Sequence, residues 1–215
     1  MSAARLVHIP AGSATIEGML EIPGHATGLV LFAHGSGSSR HSPRNNYVAG
    51  VLRQAGVGTL LMDLLTPEED RDYARRFDIA LLTQRLLDAV RWVVAQAEIR
   101  ELPLGFFGAS TGAAAALEAA AMLGDEARAV VSRGGRPDMA SNEVLATVTA
   151  PTLLLVGGQD NGVIDLNRQA YDQLRCEKKL LIVPGATHLF EEPGTLEEVA
   201  HQAAHWFRQH MSPSP

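Results

Sequence analysis

Three side chains set far apart in this 215-residue chain could together carry out acyl chemistry: a serine, a carboxylate and a histidine. A serine hydroxyl becomes a competent nucleophile only when a base takes its proton. Histidine titrates near neutral pH and suits that task. A carboxylate on the far ring nitrogen sets the tautomer and stabilises the imidazolium that forms. Ser110 stands in Gly108-Ala109-Ser110-Thr111-Gly112, a G-x-S-x-G pattern. Asp160 ends the stretch Leu155-Val156-Gly157-Gly158-Gln159-Asp160, and His188 ends Val183-Pro184-Gly185-Ala186-Thr187-His188. Serine, acid, histidine is one of the chain orders in which such a set recurs. The expected roles are nucleophile for Ser110, base for His188 and orienting acid for Asp160.

Positioning these groups requires particular elements. Short apolar runs read as buried strands: Leu29–Ala33, Gly58–Met62, Leu104–Phe107, Ala129–Val131, Thr152–Val156 and Leu180–Val183. Continuous rather than alternating apolar residues indicate strands covered on both faces, as in a parallel sheet. Helical patterns fall between them: one carrying Tyr47, Val51 and Leu52 behind Ser42 and Pro43, then Ile79–Val94, Ala113–Leu123, Val163–Leu174 and Leu196–Phe207. The first twenty or so residues alternate in polarity and read as an antiparallel edge hairpin. Strand and helix in alternation make a doubly wound α/β domain, whose ligands sit beyond the C-terminal strand ends. Ser110, Asp160 and His188 each follow a strand, so all three reach one sheet edge. Without its companions the serine motif is a glycine-rich turn with a capping serine, Asp160 a loop or cap aspartate, and His188 a surface histidine. The ordered set favours the catalytic reading. Asp165 is the nearest competitor to Asp160 but falls inside the following helix.

The strand-to-helix turn asks for small residues at Gly108 and Gly112, because helix and strand nearly touch there. The N–H of Thr111 then lies at a helix N-terminus, facing an incoming oxyanion. A second donor is expected from His34-Gly35-Ser36-Gly37-Ser38-Ser39, most directly the N–H of Ser36, with Gly35 or Gly37 as alternatives. His34 reads as a residue that shapes this loop. Arginines also gather at the same edge: Arg40 and Arg44 after the first parallel strand, Arg133 and Arg136 after another. Guanidinium groups suit carboxylates and phosphates. Arg40, Arg133 and Arg136 are therefore expected to bind a substrate that carries an anion beside its scissile bond. The competing reading is local pairing, for example of Arg136 with Asp138.

Other chemistries find little support. Gly35-Ser36-Gly37-Ser38-Ser39-Arg40 lacks the third glycine of a dinucleotide turn. His201 and His205 lie one helical turn apart, but Gln202 replaces the glutamate of H-E-x-x-H and no third ligand is evident, so no metal site is expected. A formal charge of −6 with no Lys/Arg cluster argues against nucleic acid or anionic membrane as partner. The Ala113–Ala121 run is too short to span a bilayer and contains Glu118. One cysteine, Cys176, excludes an intramolecular disulfide and suits a reducing, cytoplasmic setting, as does a start without the apolar stretch of a secretory signal. A single domain over residues 1–215 is expected, with 212–215 as a frayed tail.

Taken together, His34-Gly35-Ser36-Gly37-Ser38, Gly108-Ala109-Ser110-Thr111-Gly112, Gly158-Gln159-Asp160 and Gly185-Ala186-Thr187-His188 resemble the α/β-hydrolase superfamily. The compact form is similar to its dienelactone hydrolase-like branch, over about Ala14 to Phe207. The resemblance implies the α/β-hydrolase fold, esterase or lactonase chemistry, and no metal or organic cofactor. The namesake enzymes use a cysteine nucleophile where this chain has Ser110, and Cys176 is too distant to replace it. A carboxylesterase acting on a small soluble ester or lactone is thus the implied activity. Lid domains of this fold enter between the strands ending near Val131 and starting at Thr152, where only about twenty residues stand; none is expected. An acyltransferase or peptidase on the same three residues, or a non-catalytic binding protein, are the competing functions.

Overall fold

The computed structural model describes residues 4–211. The expected tail at 212–215 lies outside the described residues. β1 (Arg5–Ala11) and β2 (Ala14–Glu21) form an antiparallel hairpin. β3 (Leu29–Ala33), α1 (Pro43–Gln54), β4 (Gly58–Met62), α2 (Pro67–Asp70), α3 (Ile79–Val94), β5 (Leu104–Ala109) and α4 (Thr111–Leu123) follow. Then come β6 (Ala127–Arg133), α5 (Asn142–Thr147), β7 (Thr152–Gly157), α6 (Asn161–Gln173), β8 (Lys178–Val183) and α7 (Thr195–Met211). The eight strands make one sheet in the order β1-β2-β4-β3-β5-β6-β7-β8. β4, β3 and β5 to β8 run parallel, and β2 joins β4 antiparallel.

The apolar runs are explained by the two faces they serve. Side chains alternate across a strand. In β3, Leu29, Leu31 and Ala33 enter the core under α3 and α4, whereas Val30 and Phe32 enter the core under α1 and α7. With both faces buried, every position must be apolar. Phe32 stacks on Phe107 of β5 with ring centroids 4.9 Å apart. The start of α1 follows its cap chemistry: Ser42 Oγ accepts the N–H of Asn45 at 3.3 Å, and Pro43 opens the helix.

Two short helices escape periodicity. α2 spans four residues and rests on a capping box in which Thr66 and Glu69 exchange side-chain-to-backbone bonds. α5 spans six. Neither is long enough to display a 3.6-residue repeat. Residues 134–151 hold only a 3₁₀ turn at Pro137–Met139 and α5, so no lid domain is inserted there.

Candidate active site

The sheet is filled outward in both directions from β3, with β4 on one side and β5 on the other. The crevice at the C-terminal ends of β3 and β5 is where such sheets hold ligands. Ser110 directly follows β5, and the loop after β3 carries His34 to Ser39.

Ser110 has φ 50° and ψ −121°. A positive φ on a residue with a Cβ costs on the order of 1–3 kcal/mol and persists only where the surroundings impose it. Here they do. The Ser110 N–H donates to Arg133 O at 3.3 Å, and Ser110 O accepts from Ala113 N–H at 3.1 Å and Arg136 N–H at 3.0 Å. A Cβ on Gly108 would lie 2.4 Å from Ala113 Cα, and one on Gly112 would lie 2.3 Å from Ala33 O. The two motif glycines are thus required by contact between strand and helix, which throws the Ser110 side chain clear of both. Thr111, the first residue of α4, has no preceding turn to accept its N–H.

His188 Nδ1 and Asp160 Oδ2 are 2.6 Å apart. A carboxylate accepts, so Nδ1–H donates and Nε2 is left with its lone pair. Asp160 stands at the N-cap position of α6, yet its side chain caps nothing there. Its carboxylate is engaged by the imidazole. Asp165 instead pairs with Arg168 at 3.3 Å on the exposed face of α6, too far along the chain from this turn to compete. The turn carrying His188 is pinned by residues that sequence reasoning passed over. Thr187 O accepts the N–H of Phe190, which is buried at φ 55°. The Glu192 carboxylate accepts the Thr187 N–H at 3.0 Å, and hydrogen bonds from Thr187 hold its pKa below the ordinary carboxylate value. Phe190 and Glu192 lie two and four residues past the histidine and carry no local signal.

Ser110 and His188 line one cavity of about 230 Å³ with Gly35, Ser36, Arg44, Asn45 and Arg133 among its walls. Among the described residues no hydrogen bond joins the Ser110 hydroxyl to the imidazole. Gly35 passes close to the serine: a Cβ there would sit 3.0 Å from Ser110 Cβ. The loop is held by His34, which is buried. His34 Nε2 accepts the N–H of Leu64 at 3.0 Å, and Nδ1 lies 2.9 Å from Gly35 O. An amide only donates and a carbonyl only accepts, so this imidazole is neutral with its proton on Nδ1. Burial pushes its pKa below the ordinary histidine value, in agreement. His34 shapes the loop, as expected from its place in the sequence.

The four arginines separate. Arg40 is bound by two carboxylates, Glu17 at 2.5 Å and Asp63. Arg136 makes a two-pronged pair with Asp138 at 2.8 and 2.7 Å. Neither lines the cavity, and both have their charge matched locally, Arg136 by the Asp138 pairing of the competing reading. Arg133 does line it, beside Arg44. The pairing of Arg136 with Asp138, two residues apart, follows from proximity; that of Arg40 with Asp63 needs β4 laid beside β3. Among the described residues, no three His, Cys, Asp or Glu side chains gather as metal ligands, and no helix is long and apolar enough to cross a membrane.

A crystallographically determined dienelactone hydrolase from Anabaena variabilis is 52% identical to this chain. The match covers 97% of this chain and 98% of that one, with a TM-score of 0.94. Est1E from Butyrivibrio proteoclasticus, at 17% identity, shares the fold with a TM-score of 0.82 over 96% of this chain and 98% of its own. An esterase domain of a Rhodothermus marinus protein does so at 18% identity and a TM-score of 0.80, over 98% of this chain and all of its own (100%). Over 210 residues the chain is 56% identical to proteins of two Mycobacterium tuberculosis strains named as candidate phosphoribosyl transferases. That match covers 97% of this chain and 47% of theirs, so the chain spans about half the length of the curated relatives it matches. No protein-family model matches the chain. With over half its residues identical across almost the full length of a solved relative of the same fold, the chain belongs to the dienelactone hydrolase-like branch of the α/β-hydrolase superfamily.

Proposed function

We propose that this chain is a serine hydrolase of small soluble esters or lactones, with Ser110 as nucleophile, His188 as general base and acid, and Asp160 as the group that orients His188. The observation that carries the reading is the 2.6 Å contact between His188 Nδ1 and Asp160 Oδ2, with His188 and Ser110, on its positive-φ turn, lining one cavity. His188 Nε2 takes the Ser110 proton as Oγ bonds to the acyl carbon. The N–H groups of Thr111 and Ser36 receive the negative charge on the former carbonyl oxygen, each such donor contributing about 3 kcal/mol. The C–O bond to the leaving group then breaks, and His188 gives that oxygen its proton. Water attacks the acyl-serine with the same proton route, releasing the acid and restoring Ser110. Ester and water become acid and alcohol, with no other reactant.

An acyltransferase or peptidase would use the same groups. The open cavity, with no lid domain over it, favours water as the acyl acceptor. The transferase name of the mycobacterial relatives belongs to proteins about twice as long, and we assign it to the part this chain does not match. A fluorophosphonate probe tests the proposal directly. It labels the wild-type chain at Ser110, and Ser110→Ala neither reacts nor turns over p-nitrophenyl acetate while keeping its circular dichroism spectrum. Turnover that survives the substitution removes Ser110 from the mechanism.

A further inference from the structure

We propose that the substrate carries a phosphate monoester, held by Arg133 and Arg44 beside Ser110; this rests on the hydrolase reading above. Arg133 is 7% exposed and ends β6, opposite Ala109 in the register. Among the described residues its guanidinium reaches a single acceptor, Asn45 Oδ1, at 3.4 Å. Its Nε and Nη1 are buried without a partner among the described residues, and so is Nε of Arg44. Arg44 touches Glu191 at 3.3 Å through another nitrogen, at the exposed end of its side chain. Among the described residues no carboxylate lines the cavity.

Arg85 and Arg40 also keep a buried Nε without a partner, but both have their charge met by carboxylates. Arg85 is about as buried, and it donates to Ala11 O at 2.5 Å and pairs with Glu69 at 2.6 Å. Arg40 has two acids of its own. An unpaired guanidinium in the interior is costly, and a second one beside it adds repulsion. Burial first, and then the charge of Arg44, lower Arg133 to about 10, which still leaves it a cation at neutral pH. A cavity walled by two adjacent cations, with no acid in its lining and only Glu191 on the outer end of Arg44, suits an anion from outside.

Its chemistry follows from the count of charges and donors. A carboxylate brings one charge and two oxygens. A phosphate monoester brings nearly two charges and three terminal oxygens, matching two guanidinium groups with three unpartnered nitrogens between them. Neighbouring parallel strands lie on the order of 5 Å apart, so the phosphate sits within a few bonds of the carbon that Ser110 attacks.

Two measurements test this, and only the second needs catalysis. Calorimetry on the Ser110→Ala protein at pH 8 should show inorganic phosphate binding more tightly than acetate. Arg133→Gln and Arg44→Gln, each added to Ser110→Ala, should weaken phosphate roughly tenfold to a hundredfold, the usual loss with one charge-assisted contact. Arg44 is partly exposed at the start of α1, so its variant remains informative should Arg133→Gln fail to fold. With the wild-type chain, three aryl esters whose acyl chains end in methyl, carboxylate or phosphate should give the highest kcat/KM for phosphate, by roughly tenfold or more. Arg44→Gln should reduce the phosphate-to-methyl ratio toward one. Absence of phosphate binding to Ser110→Ala overturns the inference, as does acetate binding as well as phosphate or the carboxylated ester matching the phosphorylated one. Phosphate bound at this site with none of the three esters hydrolysed defeats the hydrolase reading and leaves the anion site standing.

Discussion

Asp160→Asn removes one charge and almost no volume, so its effect isolates what the carboxylate does for His188. At 2.6 Å the contact is a short, charge-assisted hydrogen bond. Asparagine can present its NH₂ to Nδ1, which forces the imidazole proton onto Nε2 and removes the lone pair that must accept from Ser110. It can instead present its oxygen, which keeps the tautomer but no longer stabilises the imidazolium. In a Ser-His-Asp set the first outcome has cost about ten thousandfold in kcat, or about 5.5 kcal/mol at 1.36 kcal/mol per factor of ten. The His188 side chain here is 39% exposed, and water takes over part of the charge stabilisation. We therefore expect a loss of roughly a thousandfold in kcat on p-nitrophenyl acetate at neutral pH, with KM little changed. Fluorophosphonate labelling of Ser110 should slow in parallel, because the probe also needs the activated hydroxyl. Asp165→Asn, on the solvent face of α6, should leave both rates as they are. A loss below tenfold in Asp160→Asn, in a protein that Ser110→Ala inactivates, would refute Asp160 as the orienting acid.

Two further predictions concern the scaffold. His34→Gln should destabilise the fold by about 1–3 kcal/mol for each of the buried Leu64 N–H and Gly35 O groups left unpaired, read by urea unfolding at pH 7.5. Because burial holds the folded pKa of His34 below its ordinary 6.5, the unfolded chain takes the proton first. Its contribution is whole above pH 6.5 and falls as the pH drops from there toward the folded value. The wild type should thus lose more stability than His34→Gln between pH 7.5 and 5.5; equal losses would reject a buried neutral His34. Gly112→Ala places a methyl 2.3 Å from Ala33 O, which belongs to a central strand and cannot yield. A cost of about 3 kcal/mol and a fall in Tm of roughly 6–12 °C are expected, by differential scanning calorimetry, and an unchanged Tm would contradict the strand–helix contact.

Much of the fold was legible because its signals are local. An unbroken apolar run such as Leu29–Ala33 can only be a strand with both faces covered, and the helices between such runs dictate parallel crossovers. The G-x-S-x-G turn carried part of its geometry with it, since Gly108 answers a contact with Ala113 a few residues away, whereas Gly112 answers the carbonyls of Ala33 and His34 at the end of β3. Asp160 and His188 were legible as strand-end residues in a set order. Short elements were not: α2 and α5 hold too few residues to show a period, and Glu192 and Phe190 pin the His188 turn without any pattern around them.

The arginines mark the boundary most clearly. Sequence alone places Arg40, Arg44, Arg133 and Arg136 near one edge of the sheet, because each follows a strand. Which of them is matched by an acid depends on residues brought near by strands and helices far apart in the chain, Glu17 and Asp63 for Arg40 and Asn45 alone for Arg133. A guanidinium sits at the end of a long, flexible side chain, so its partner is chosen by three-dimensional neighbourhood rather than by sequence distance. Chain order determined the elements and brought Ser110, Asp160 and His188 to one edge of the sheet; packing decided which charges are matched by an acid.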